Sequence, residues 1–124
     1  MKDIKQSKLF TPYKMGPVTL RNRTIRSAAF ESMGKDFAPT QALKDYHVSV
    51  AKGGVGMTTL AYASVNRSGI SFNSQLWLRD EIVPQLRDIT DAVHNEGAAV
   101  GVQIGHCGNM THWETAGCFP VSAS

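Results

Sequence analysis

Cysteine is scarce in this chain of 124 residues, which contains only Cys107 and Cys118. Two thiols without a Cys-x-x-Cys spacing exclude a disulfide-stapled scaffold and a thioredoxin-type site, so both read as reduced. No apolar run approaches the roughly 18 residues of a membrane span. The opening Met-Lys-Asp-Ile-Lys-Gln-Ser-Lys is too polar for a signal peptide, which points to a soluble, cytoplasmic protein with no membrane partner. Blocks of like charge are missing too: the net charge of +3 comes from Lys and Arg scattered along the chain. That pattern gives no reason to expect a nucleic-acid partner. There is no Walker motif, Gly-x-Ser-x-Gly elbow or His-Glu-x-x-His sequence. Gly53-Gly54-Val55-Gly56 follows a helical pattern and enters a strand pattern, so it reads as a helix stop and not a dinucleotide fingerprint.

What is present is an ordinary globular composition, with 42% apolar and 19% charged residues, arranged in alternating strand and helix patterns. Residues 10–23 hold two short alternating runs around Gly16-Pro17 and read as a small hairpin. Residues 24–30 are expected to form the first core strand, although Arg26 interrupts it and Ser27, Ala28 and Ala29 have little strand propensity. Small residues there let either a ligand or a helix approach the backbone. Thr40 is a good N-cap for a helix carrying Leu43, Tyr46, His47, Val50 and Ala51 on one face, with His47 read as a hydrogen-bonded structural histidine.

Residues 55–62 read as a buried strand. Residues 64–78 follow as a long loop, of the kind that carries substrate contacts or a lid, with Trp77 pinning it to the next helix. Asp80 is the expected N-cap of that helix, whose Ile82, Leu86, Ile89 and Val93 share one face and which stops at Gly97. Residues 98–104 form the third strand. Strand, helix, strand, helix, strand makes the strands parallel and the fold α/β. Residues 109–124 show no clear element.

The third strand ends in a polar cluster, the place where α/β proteins put their chemistry. Gln103 stands between Val102 and Ile104, and its planar amide, one acceptor and two donors, matches the edge of a heteroaromatic ring. Pairing with neighbouring backbone is the other fate open to it. His106, Cys107, His112 and Cys118 lie close in sequence, but their spacing matches no standard zinc site. Adjacent residues such as His106 and Cys107 point apart at a strand end, so they make a poor catalytic dyad.

Leu9-Phe10-Thr11-Pro12, then residues 18–23 (Val-Thr-Leu-Arg-Asn-Arg), residues 53–57 (Gly-Gly-Val-Gly-Met) and residues 101–108 (Gly-Val-Gln-Ile-Gly-His-Cys-Gly) together resemble the start of the old yellow enzyme family, in order and approximate spacing. The resemblance implies an FMN-dependent oxidoreductase on a TIM (β/α)₈ barrel, with hydride passing from NAD(P)H through flavin to an activated alkene or similar acceptor. The whole chain, residues 1–124, would then be the amino-terminal portion of one such domain, comprising the hairpin and the first three βα units. Carried over by position, Ser27, Ala28, Ala29 and Phe30 resemble the segment lining the flavin, Tyr62 stands where the family has a small residue beside the ring, and Gln103 resembles the amide on the flavin's pyrimidine edge. The family commonly shows Pro-Met at Ala28-Ala29, Thr or Cys at Phe30, and an acidic then a small residue at Ala61-Tyr62, which marks this chain as a divergent branch.

A barrel of this type needs about 250 residues. The groups that polarise substrate and the late phosphate-binding loops would therefore lie beyond Ser124, and no catalytic residue is assigned within the chain. The chain alone is expected to bind FMN weakly or not at all, without turnover. The other reading of the residues is a non-catalytic βαβαβ module, or a split-barrel half, that self-associates or needs a partner chain.

Overall fold

A computed structural model describes residues 7–123. The first hairpin pairs β1 (Tyr13–Met15) with β2 (Val18–Leu20) antiparallel, Met15 opposite Val18. Gly16 takes a φ of 57° between them. That is the positive value a primed hairpin turn needs at its first central position, and the ring of Pro17 fixes a negative φ at the second, which excludes type I′.

A second, parallel sheet is formed by β3 (Ile25–Arg26), β4 (Met57–Ser64), β5 (Leu76–Trp77) and β6 (Ala99–Gly105). β6 runs along one edge of β4, from Met57↔Ala99 to Ser64↔Gly105. The other edge is shared, β3 pairing at Met57 and Thr58 and β5 at Ala63 and Ser64. The expected strand over residues 24–30 is therefore shorter than its pattern suggests. The chain leaves the sheet after Arg26, so residues 59–62 on that edge of β4 have no strand partner before β5 joins at Ala63.

α1 (Gln41–Lys52) begins where expected: the Thr40 hydroxyl accepts from the Leu43 N–H at 3.3 Å and caps the first turn. The second crossover differs from its expected start. Asp80 is not the N-cap but lies inside a 3₁₀ turn, Asp80–Ile82, which feeds α2 (Val83–Asn95) with a proline in its first turn. Both helices cover one face of the sheet, and Leu43, Ala51, Leu60, Ala63, Leu76, Ile89, Val93 and Ala98 form the core between them. Each fully buried Leu or Ile there contributes about 1.5–3 kcal/mol.

The loop over residues 64–78 holds a 3₁₀ turn (Arg67–Gly69) and the two-residue β5. Trp77 is thus a strand residue; its N–H donates to the Phe37 carbonyl at 3.0 Å. The final segment also contains more than expected, a 3₁₀ turn (Gly108–Met110) and a short helix α3 (Trp113–Ala116) ended by Gly117 in the left-handed region. Among the described residues no helix is long and apolar enough to cross a membrane.

The family-like Arg21-Asn22 pair has a physical role in this arrangement. Arg21 donates to the carbonyls of Val55 at 3.0 Å, Glu96 at 2.7 Å and Ala51. One guanidinium thereby satisfies free carbonyls at the ends of both helices and favours their negative poles. Asn22 donates to Gly54 O at 2.7 Å. A Cβ on Gly56 would come within 2.5 Å of Asn22 O, so that position accepts only glycine. These contacts hold the hairpin against the amino-terminal end of the sheet and leave the carboxyl end free for a site.

Candidate cofactor cleft at the carboxyl ends of the strands

Parallel strands gather their carboxyl ends on one rim, and here the loops that follow β4 and β6 are stitched together on it. Ser68 Oγ lies 2.9 Å from His106 Nε2, and the Gly108 N–H donates to His106 Nδ1 at 3.0 Å. Both ring nitrogens are thus engaged, and a neutral ring carries its proton on Nε2, toward Ser68. A Cβ on Gly69 would lie 2.5 Å from the same ring, which explains the glycine. The Cys107 N–H donates to Gly69 O at 3.1 Å, and Arg67 reaches Thr115 O at 2.6 Å. His106 is a loop cross-link and forms no dyad with Cys107.

Below this seam a cleft of about 240 Å³ opens between Tyr62, Gln103, Ile104, Gly105, His106 and Cys107. The ladder between β4 and β6 shifts between Leu60 and Ala63, where β4 carries an extra residue and a cis peptide joins Ala61 to Tyr62. The Cys107 thiol approaches the Tyr62 hydroxyl at 3.6 Å. Burial first, and then the Cys107 thiol, push the Tyr62 phenol up to about 12, against a downward pull from Ser71. Across neutral pH this hydroxyl therefore stays a donor.

Gln103 is the exposed polar side chain of β6, and its amide makes no hydrogen bond among the described residues. Of the two fates open to it, backbone pairing is not the one observed. At Gly101, two residues earlier on the same face, a Cβ would come within 2.8 Å of Met57 Cε, the end of a flexible side chain that would have to move.

The structure brings three of the six expected cofactor residues together. Phe30 lies against Tyr62, ring centroids 5.5 Å apart, and stacks on Phe72 at 4.9 Å and 26°. Tyr62 and Gln103 share the cleft. The side chains of Ser27, Ala28 and Ala29 are not among those lining it; this run leaves β3 and leads into Phe30, with Ser27 and Ala29 exposed and Ala28 half-buried. Phe72 is a member of this group that periodicity gave no means of assigning, since it sits in an irregular loop. Among the described residues no group of three or more His, Cys, Asp and Glu side chains could hold a metal ion.

Sequence reasoning also missed a charged cluster behind the same segment. The Glu31 side chain is 2% exposed, with Oε1 2.5 Å from Arg26 Nη1 and 3.2 Å from His47 Nε2. The His47 approach is bent away from a linear hydrogen bond, and its Nδ1 lies 2.8 Å from Thr58 Oγ1. Glu31 Oε2 accepts the Ala61 N–H at 3.1 Å. Burial alone would raise the Glu31 carboxyl. Hydrogen bonds from His47, its own backbone, Ala61 and Arg26 outweigh that and hold it below the ordinary value. The available signal was Arg26, a charge inside a strand that needs an acidic partner once buried.

A half-built parallel α/β barrel with an open, amide-bearing cleft on its carboxyl rim defines a class, that of barrel proteins holding a planar cofactor or substrate at the strand ends. Residues 8–122 match the model of the NADH:flavin oxidoreductase / NADH oxidase family, and the chain belongs to that family. Its members use FMN, reduced by NAD(P)H. The chain is 43% identical over 100 residues to a 4,4'-dithiodibutanoate disulfide reductase of Rhodococcus erythropolis, covering 81% of this chain and 25% of the relative. It is also 43% identical over 117 residues to a probable N-methylproline demethylase of Rhizobium meliloti (strain 1021), covering 93% and 17%. The fold matches the old yellow enzyme homologue of Zymomonas mobilis with a TM-score of 0.86 at 24% identity, over 95% of this chain and 33% of that one. The chain thus spans a quarter or less of the two curated relatives and corresponds to the amino-terminal part of a TIM barrel, its sheet not closed.

Proposed function

We propose that this chain supplies the flavin-facing first three strands of an FMN-dependent oxidoreductase, which passes hydride from NAD(P)H to an activated alkene or similar small-molecule acceptor. Residues 1–124 are then the amino-terminal portion of a single barrel domain, working in the cytoplasm. The observation that carries this reading is the Gln103 amide, which has no hydrogen bond among the described residues and lines the cleft it shares with Tyr62. The donor set fits the cofactor: an amide for a pyrimidine edge, a phenol held in its donor form, and the short side chains of Ser27, Ala28 and Ala29, which leave the backbone approachable.

FMN, when bound, supplies a two-electron carrier between nicotinamide and acceptor. The chain's own contribution is orientation. Gln103 fixes the ring in its plane, Phe30 and Tyr62 form an apolar wall, and Phe72 braces that wall from the loop after β4. One relative is named for reduction of a disulfide and another for demethylation of N-methylproline, so an alkene is one substrate class among several for this fold.

Val102 and Ile104 on β6 are 39% and 59% exposed, and β6 pairs only with β4 among the described residues. The remaining strands of the barrel, or a second copy of this chain, would pair along that edge. The test is FMN fluorescence on addition of the chain. Weak quenching is expected, and it is lost in Gln103→Leu but kept in Gln41→Leu, a change on the far helix. Equal quenching by the unaltered chain and Gln103→Leu contradicts the reading.

A further inference from the structure

The buried cluster of Arg26, Glu31 and His47 lies outside the cleft, and nothing in the flavin reading requires it. Its place in the fold gives it a role. β3 leaves the ladder after Arg26, so Ala61, which falls between the β3 and β5 pairing positions on β4, takes its acceptor from a side chain, Glu31 Oε2 at 3.1 Å. The other carboxylate oxygen holds Arg26, whose guanidinium also donates to Thr59 O at 2.6 Å and Ala29 O at 3.0 Å. Arg26 additionally lies over the Tyr46 ring at 5.2 Å, and His47 of α1 packs against the carboxylate, Nε2 3.2 Å from Oε1. Residues 27–30 are therefore a loop of chain closed at its base by one ion pair, and the same carboxylate fixes the amide next to Tyr62.

We propose that Glu31 is a positioning residue: its carboxylate replaces the missing strand ladder and sets residues 27–30 and Tyr62 in place for the flavin. This rests on the flavin reading above. The requirement is for a charged group with two acceptors, because donors approach from both sides. Arg26 is permanently charged, and among the described residues the Ala61 N–H donates to Glu31 alone. A neutral amide of the same shape would point an NH₂ group at one of these donors.

The experiment is hydrogen exchange and FMN titration by NMR on the unaltered chain, Glu31→Gln and Glu31→Asp, with Ile89→Val as a control that loosens the core elsewhere. In Glu31→Gln, exchange at Ala61 should rise about tenfold relative to Leu60, the scale set by losing one buried hydrogen bond. The FMN affinity should fall by a similar factor, while Ile89→Val leaves both unchanged relative to Leu60. Glu31→Asp keeps the charge opposite Arg26 but is one methylene short of Ala61, so its Ala61 exchange stays raised; it carries the test if Glu31→Gln does not fold. Unchanged Ala61 exchange in both variants overturns the proposal. Raised exchange with unchanged FMN affinity overturns the positioning role. If the unaltered chain shows no FMN-induced shifts, the flavin reading itself fails, and that failure is told apart because it appears before any substitution is made.

Discussion

Tyr62 illustrates how one substitution changes the chemistry of a rim. The family resemblance implies a small residue at this position; here a phenol contacts Phe30 on one side and the Cys107 thiol on the other. Because burial raises its pKa from 10.0 to about 12, the folded chain keeps the proton in a window where the unfolded chain has lost it. Between these values the unfolded state binds fewer protons, so stability falls as pH rises through the window. In a spectrophotometric titration one of the three tyrosines should ionise near 12, and Tyr62→Phe should remove that step alone. Ionisation of all three near 10 would contradict the assignment. Gln103 stands out in the sequence as an amide inside an apolar strand, whereas Tyr62 is singled out only by the family resemblance. Glu31 and Phe72 carry neither mark. They follow irregular chain, and their roles come from contacts with residues 30 or more positions away, as between Glu31 and Ala61.

Elements were read well where local chemistry sets them. Thr40 starts α1, and the apolar stripe of α2 buries Ile89 and Val93 as its spacing requires. Errors fell where tertiary pairing overrides local preference. β3 stops at Arg26, where the Arg26 and Glu31 side chains take Thr59 O and the Ala61 N–H in place of a ladder, and β5, two residues inside a long loop, leaves no periodic trace. The Arg21 contacts are equally non-local, since one side chain serves three carbonyls across two helix ends. Arg21→Ala should cost about 3 kcal/mol in chemical denaturation, the scale for losing charged hydrogen bonds to partly buried carbonyls. Arg21→Lys should recover only part of that, because an ammonium cannot span the same fork. A loss below about 0.5 kcal/mol, the level of an ordinary surface change, would show that the hairpin is held by other contacts.

Four parallel strands, two of them only two residues long, with helices on one face cannot close on themselves, and the exposed apolar residues mark where closure is incomplete. Besides Val102 and Ile104, Trp113 is 63% exposed and Phe119 is 87% exposed. The parallel α/β order and the hairpin were visible in the sequence, as was the family; the shape of the cleft was not, because it depends on how the loops after β4 and β6 knit together. The isolated chain is expected to show no NADPH oxidation, and its purification with stoichiometric yellow cofactor and turnover would contradict this. The most direct measurement is an NMR titration of the isotopically labelled chain with FMN. Saturable shifts confined to the Gln103 side-chain amide, Tyr62 and residues 27–30 are predicted. Shifts absent from Gln103 and gathered instead at the α1–α2 groove around Lys44, Gln85 and Asp88 would contradict the assignment of a flavin site to the carboxyl rim.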